Sequence, residues 1–257
     1  MKLIILAAGQ GTRLQPLTNN KPKCLTPILN KPIIEWQIET AHAANIRDII
    51  VVGGYKIEQL EKYPITLICN ENFMTTNMVY SLLCAKDHFN DDIIISYGDI
   101  IYTNQILQKL ISSSHDLAIT IDLLWQSYWE QRFEDPLSDA ESLELFYDGR
   151  IKEIGQKAQN ISDIQGQYIG LCLFRKKAIH SLLQTYNDLS ENDTKLNGRS
   201  AGNYFMTDLL QEMIRRNIAL HSFPINRGWY EIDSLSDLAV AEASLQKNNI
   251  LQHESNF

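Results

Sequence analysis

The sequence predicts an α/β protein with a mixed, mainly parallel sheet flanked by helices, and three observations carry that prediction. Short apolar, partly β-branched runs recur at residues 3–8, 48–52, 65–69, 92–97 and 117–121, the signature of strands buried on both faces. Helical stretches separate most of them at the spacing of βαβ units, which requires parallel strands. The runs end in glycine or polar turns, Gly9, Gly53-Gly54 and Gly98-Asp99 among them, and in such sheets ligands bind outside the carboxyl ends of the strands.

The first run opens into Gly9-Gln10-Gly11-Thr12-Arg13-Leu14, then Pro16-Leu17-Thr18 and Lys21-Pro22-Lys23. The glycines open a loop whose backbone amides can face an anion, and Arg13 and Lys23 add two cations, so the stretch reads as a nucleoside triphosphate cradle. A Walker loop would need Gly-Lys before Ser or Thr, where Gly11-Thr12-Arg13 stands. A dinucleotide fingerprint would need a third glycine at Leu14. A plain strand-to-helix turn has no need of Arg13 and Lys23.

Pro22 and Pro27 keep the next stretch extended, and Pro32 opens a helix through about Ala44 with Ile34, Ile38 and Ala41 as its buried stripe. A short helix is expected over residues 57–62. The polar run 70–77 leaves the third strand at the ligand edge and leads into a helix at Met78. Thr76 or Asn77 there serves either as the N-cap or as a base or ribose contact. Asp99, just past the fourth strand, is placed to hold Mg²⁺ on a triphosphate, the alternative being a solvated turn aspartate. A helix over 105–112 leads to the fifth strand.

The pattern then changes. Trp125, Tyr128, Trp129 and Phe133 accompany Asp122, Glu130, Arg132, Glu134 and Asp135, and Asp148-Gly149 makes a hairpin of residues 143–146 and 150–154. Residues 125–170 therefore read as an inserted lid or acceptor-binding subdomain within a single domain spanning 1–257, with some of the aromatics as its small core. Residues 167–174 return to the main sheet, and a helix over 177–186 covers it. The Asn, Ser, Asp and Gly of residues 187–203 suggest a mobile surface loop beside the site, hinged at Gly198 and Gly202. A helix over 206–216 follows. In the final strand, alternation puts Trp229, Glu231 and Asp233 on one face, which should line a cleft. Ser234 and Asp237 make an N-terminal capping box, and the tail after Asn248 should fray.

A net charge of −8 argues against nucleic acid or an anionic membrane as partner, since both demand a basic face. Cys24, Cys69, Cys84 and Cys172 lie far apart without CxxC spacing, which suggests reduced, mostly buried thiols in a cytoplasmic protein. The six histidines form no zinc pattern, so any metal should sit on carboxylates. No run approaches the roughly 18 apolar residues of a membrane helix. Oligomeric state is not readable, and a homo-oligomer is left open.

The residues resemble the nucleotidyltransferase family with a Rossmann-like, GT-A-like α/β fold, whose opening has the form AAGxGTRLxPLT followed by KPK. Ala7, Ala8, Gly9, Gly11, Thr12, Arg13, Leu14, Pro16, Leu17, Thr18, Lys21, Pro22 and Lys23 all fit it. Asn77-Met78-Val79-Tyr80-Ser81-Leu82 and Tyr230-Glu231-Ile232-Asp233-Ser234 resemble the CTP-dependent branch acting on phosphocholine. Thr76-Asn77-Met78-Val79, Ile95-Ser96-Tyr97 with Asp99-Ile100-Ile101-Tyr102, Arg132-Phe133, Pro136-Leu137, Asp139-Ala140-Glu141 and Gln167-Tyr168-Ile169-Gly170-Leu171 are more similar still to the branch acting on glutamine phosphate.

The resemblance implies transfer of CMP from CTP to a small phosphorylated amine or amino acid, with release of pyrophosphate. Arg13 would hold the leaving phosphates, Lys23 the α-phosphate, and Asp99 and Asp233 a shared Mg²⁺. Leu6, Ala7, Ala8, Gly9, Gly11, Thr12, Asn70, Thr76, Asn77 and Gly98 would bind the nucleotide. Trp125, Trp129, Arg132, Tyr204, Asp208, Trp229 and Glu231 would bind the acceptor, the acids and rings taking an amine and Arg132 an α-carboxylate, unless it pairs with Glu130 or Glu134. Two alternatives stand beside this: a sugar-1-phosphate nucleotidyltransferase using UTP or dTTP, and an inactive nucleotide sensor on the same fold.

Overall fold

The computed structural model describes residues 1–248; the expected frayed tail lies outside the described residues. The chain begins with β1 (Lys2–Ala7), a short antiparallel pair β2 (Pro27–Ile28) and β3 (Lys31–Pro32), and α1 (Ile33–Ala43). β4 (Asp48–Gly53), β5 (Thr66–Cys69), α2 (Met78–Cys84) and β6 (Ile93–Tyr97) follow. Then come β7 (Ile100–Tyr102), α3 (Asn104–Ile111), β8 (Leu117–Asp122), α4 (Trp125–Arg132) and the hairpin β9 (Glu141–Leu145) and β10 (Ile151–Lys157). β11 (Gln167–Phe174), α5 (Lys176–Glu191), α6 (Met206–Arg215), β12 (His221–Ile225), β13 (Trp229–Glu231) and α7 (Leu235–Asn248) complete the order.

Seven strands form one sheet in the order β12-β8-β11-β6-β1-β4-β5. Every pairing is parallel except those of β11, which runs antiparallel to both β6 and β8. The mixed, mainly parallel sheet flanked by helices is thus the expected one. Its strands read as continuous apolar runs because both faces are covered. In β1, Leu3, Ile5 and Ala7 face a core shared with α1, α3, α4 and α7, whereas Ile4 and Leu6 face one shared with α2, α5 and α6. Among the described residues no helix is long and apolar enough to cross a membrane.

Two expectations need correction. The short helix after β4 is a 3-10 segment, Ile57–Leu60. Residues 187–191 are not loop: α5 runs on to Glu191, burying Leu189 in the core that covers the sheet while Asn187, Ser190 and Glu191 face outward. The final strand, whose partner the sequence leaves open, pairs antiparallel with β7, Trp229 opposite Tyr102 and Glu231 opposite Ile100. Residues 125–170 comprise α4, two 3-10 turns and the hairpin, whose Leu143, Ile151 and Ile154 pack into the same core as α6.

Gly98, between β6 and β7, donates its amide to the Leu6 carbonyl at 2.9 Å, and a Cβ there would lie 2.7 Å from that oxygen and 2.8 Å from the Ala7 side chain. Gly98→Ala should therefore cost about 1–3 kcal/mol, as overpacking against backbone does. A lowered urea midpoint at unchanged slope would show it, and an unchanged midpoint would mean that the crossing is not tight.

Candidate active site

The carboxyl edge of the sheet brings the four sequence-expected catalytic side chains together. Lys23 sits in a 3-10 turn, Lys23–Leu25, fixed by extended Pro22. Its stem passes so close to Gly11 that a Cβ on that residue would lie 2.9 Å from the Lys23 Cβ and Cγ, and Gly11 also holds φ +69°, so glycine is required twice over. The Thr18 hydroxyl braces the loop by donating to the Gly11 carbonyl at 2.7 Å. From there Lys23 Nζ donates to Asp99 Oδ2 at 2.5 Å and to Asp233 Oδ1 at 2.7 Å. The Arg13 guanidinium, largely exposed, pairs with the other oxygen of Asp233.

Two local devices set the carboxylates. The buried side chain of Gln37 on α1 donates to the Tyr97 and Ile100 carbonyls at 2.7 and 2.8 Å, clamping the turn that carries Gly98 and Asp99. The Ile232 amide donates to the Asp99 carbonyl at 2.9 Å, continuing the β7–β13 ladder and bringing Asp233 alongside. Gln37 was invisible from sequence because its amide group is used inside the core, on two backbone carbonyls and on the Ser96 hydroxyl at 3.1 Å.

Burial depresses the Lys23 ammonium, but Asp99 and Asp233 outweigh it and raise its pKa above the ordinary lysine range. The stabilisation from this raised pKa is complete below the unfolded value of about 10.4 and is lost only as pH rises through the higher folded value. The stability difference between the protein and Lys23→Met should therefore stay flat from about pH 7 to 10. A decline within that window, followed by urea unfolding, would contradict the pairing.

One pocket is lined by Leu6, Ala7, Ala8, Gly9, Gly11, Thr12, Arg13, Lys23, Thr76, Asn77, Gly98, Asp99 and Asp233. Asn77 also caps α2, its Oδ1 accepting from the Met78 amide at 2.8 Å, so the two readings of that residue are compatible. Asn70 lies beneath the pocket instead: wholly buried, it donates to the Thr76 and Ser81 hydroxyls at 3.1 and 3.0 Å and holds the loop in shape. Cys24, Phe73, Met78, Ser81 and Tyr97 join the lining; the sequence alone assigns them no nucleotide-binding role.

None of the residues expected to bind an acceptor lines that pocket. Trp125, Trp129 and Trp229 are buried with Tyr128 in an aromatic cluster, Tyr128 meeting Trp229 edge-on at 5.5 Å. Their indole N–H groups are spent on Ile164, Asp139 and Asp122 respectively. Alternation along β13 failed for Trp229 because buried Asp122, at the end of β8, draws the indole inward. Tyr204 is fully buried and gives its hydroxyl to the Thr194 carbonyl. Asp208 caps α6 and is paired by Arg199 at 3.0 Å and Asn197 at 2.7 Å.

Arg132 is buried and pairs with neither Glu130 nor Glu134. Its Nε donates to Asp237 at 2.7 Å and its terminal nitrogen meets Glu231 at 2.7 Å. The other oxygen of Asp237 accepts from the Asp233 and Ser234 amides at 3.1 and 2.8 Å, completing the capping box with Ser234. Arg132 thus steadies the loop bearing Asp233 through the helix cap. Removing one partner of such a buried pair leaves charge uncompensated, at about 3–5 kcal/mol. Arg132→Ala should lose stability of that order in urea melts, with Arg132→Lys recovering part; a near-neutral Arg132→Ala would show that the strut is unimportant.

The donors fit Mg²⁺. Among the described residues Asp99 Oδ1 is buried without a hydrogen-bond partner, as a carboxylate oxygen reserved for a hard cation would be. Among the described residues no group of three or more His, Cys, Asp or Glu converges on one metal position, so phosphate oxygens and water would complete the shell, as is usual for this ion.

A strand-edge pocket with paired cations, two carboxylates and a glycine loop defines a nucleotidyltransferase on a GT-A-like fold. The MobA-like NTP transferase domain model matches residues 3–193, and the chain belongs to that family. It is 39% identical over 251 residues to the CTP:phosphoglutamine cytidylyltransferase of Campylobacter jejuni, covering 93% of this chain and 98% of that protein. It is 40% identical over 119 residues to the choline-phosphate cytidylyltransferase of Streptococcus pneumoniae, covering 45% of this chain and 52% of the relative. The solved CTP:phosphocholine cytidylyltransferase from that organism shares the fold, with a TM-score of 0.74, 23% identity and coverage of 95% of this chain and 98% of the other.

Proposed function

We propose that the protein transfers CMP from CTP to a small phosphorylated amine or amino acid, releasing pyrophosphate. The observation that carries this reading is Lys23 clasped between Asp99 and Asp233 in the pocket formed by the glycine loop; the similarity along nearly the whole length of the C. jejuni enzyme supplies the nucleotide and the acceptor class.

Nucleotidyl transfer depends mainly on position and on charge placed where it develops. The acceptor phosphate is already ionised, so no general base is needed. The glycine-loop amides face the triphosphate, and Arg13, whose side chain is 66% exposed, reaches the leaving phosphates with a multi-donor plane. Lys23 places a compact charge at the α-phosphate and the attacking oxygen. Asp99 and Asp233 would hold Mg²⁺, which supplies charge neutralisation and in-line orientation when bound. Without substrate the same carboxylates hold the cations; arrival of the triphosphate exchanges their partners. The free thiols suit a reducing compartment such as the cytoplasm.

Pyrophosphate release should be measured over four NTPs against glutamine phosphate, phosphocholine, 2-aminoethylphosphonate and glucose-1-phosphate. CTP with a phosphorylated amine is expected to be productive, to stop with EDTA and to resume with Mg²⁺. Activity only with UTP or dTTP and glucose-1-phosphate would overturn the reading, and none at all would favour a sensor. Lys23→Ala and Asp99→Asn should each lower kcat by roughly 10² to 10³, the usual effect of losing one charge-stabilising group.

A further inference from the structure

A second cavity opens between the 3-10 turn Pro136–Ser138, the base of the β9–β10 hairpin and the loop around Asn197 and Arg199. Its lining carries both signs of charge, Asp139 and Glu141 with Lys157 and Arg199. Two of these have internal partners: Asp139 accepts from the Trp129 indole at 3.0 Å, and Arg199 meets Asp208 at 3.0 Å while remaining one-third exposed. Glu141 is different. Its carboxylate receives only a long hydrogen bond, 3.4 Å, from the Thr207 hydroxyl, and burial with Asp208 and Asp139 nearby pushes its pKa up. A largely desolvated carboxylate without a bonded cation is costly, and a cationic ligand relieves that cost.

The cavity lies at the same edge of the sheet as the nucleotide pocket. The Glu141 amide donates to Gln167 Oε1 at 3.3 Å, and Gln167 Nε2 donates back to the Glu141 carbonyl at 2.5 Å. Gln167 begins β11 opposite Asp122, the carboxyl end of β8. Its neighbour Tyr168 meets Tyr97 of the nucleotide pocket edge-on at 5.8 Å.

We propose that this cavity receives the non-reacting end of the acceptor and selects a zwitterion, with Glu141 taking a primary ammonium and Lys157 and Arg199 a carboxylate. The inference rests on the cytidylyl transfer proposed above. Among the described residues no aromatic ring lines the cavity, so a quaternary ammonium finds neither a ring face nor, having no N–H, a hydrogen bond to Glu141. An amino-acid phosphate satisfies both charges.

The test is steady-state pyrophosphate release with CTP and L-glutamine phosphate, phosphoethanolamine or phosphocholine. Glu141→Gln should raise the KM for glutamine phosphate roughly 10- to 100-fold, as loss of a charge-assisted hydrogen bond does, with the KM for CTP unchanged and the melting temperature unchanged or raised, since the uncompensated carboxylate is gone. Lys157→Ala should raise the KM for glutamine phosphate but not for phosphoethanolamine. Lys157 is exposed, so that variant carries the test if Glu141→Gln fails to fold. An unchanged acceptor KM in the folded variants, or a preference for phosphocholine, would overturn the zwitterion subsite while leaving cytidylyl transfer standing. A wild-type protein inactive with all three acceptors would overturn both.

Discussion

The site rests on one interaction, the clasp of Lys23 between Asp99 and Asp233. Its three members are contributed by a turn after the glycine loop, the crossing from β6 to β7, and the end of β13. Each is placed by a specific backbone device. Gly11 leaves room for the lysine stem, Gly98 lets the aspartate turn cross β1, and the Ile232 amide extends the β7–β13 ladder onto the Asp99 carbonyl. Like charges this close would repel strongly without the ammonium between them. The clasp therefore organises the site electrostatically before any nucleotide arrives, and keeps its carboxylates ready for a cation.

Behind the clasp is a second charge system that never meets the pocket. Arg132 joins Glu231 on β13 to Asp237 on α7, and Asp237 holds the amides of Asp233 and Ser234. One guanidinium thus balances two carboxylates, and burial makes its removal costly. The arrangement fixes the backbone of Asp233 while leaving both its side-chain oxygens to Lys23 and Arg13. Backbone and side chain of one residue are controlled by separate cations.

The nucleotide half of this site was legible in the sequence because its requirements are local. A strand, two glycines, an arginine and a lysine in fixed spacing describe one continuous loop, and all of the expected lining from Leu6 to Lys23 does face one pocket. The acceptor half was not legible, for a reason visible in Trp229 and Arg132. Their partners, Asp122 and Asp237, lie 107 and 105 residues away, and residue type alone does not say whether a charge or an indole is spent inside or offered outside. Strand alternation also assumes one open face, and β13 has none: it packs on α7 and lies against the α4 aromatics. The main sheet was readable for the converse reason, since continuous β-branched runs have few other uses.

Glu141 inverts that lesson. It stands in Asp139-Ala140-Glu141, a stretch that in sequence marks the branch without giving the residue a role, whereas Asp208, expected to receive the amine, is saturated by Arg199, Asn197 and the Phe205 amide. What separates the two carboxylates is the degree to which each is satisfied. Asp208 has exchanged its water for three protein donors, so an incoming ammonium would have to displace one of them. Glu141 has given up much of its water for a single long hydrogen bond. Ligand binding is favoured where desolvation has already been incurred on folding and the compensating partner is still missing. On that physical ground, recognition of the acceptor is assigned to Glu141 in preference to the buried aromatic and acidic residues that the sequence brought forward.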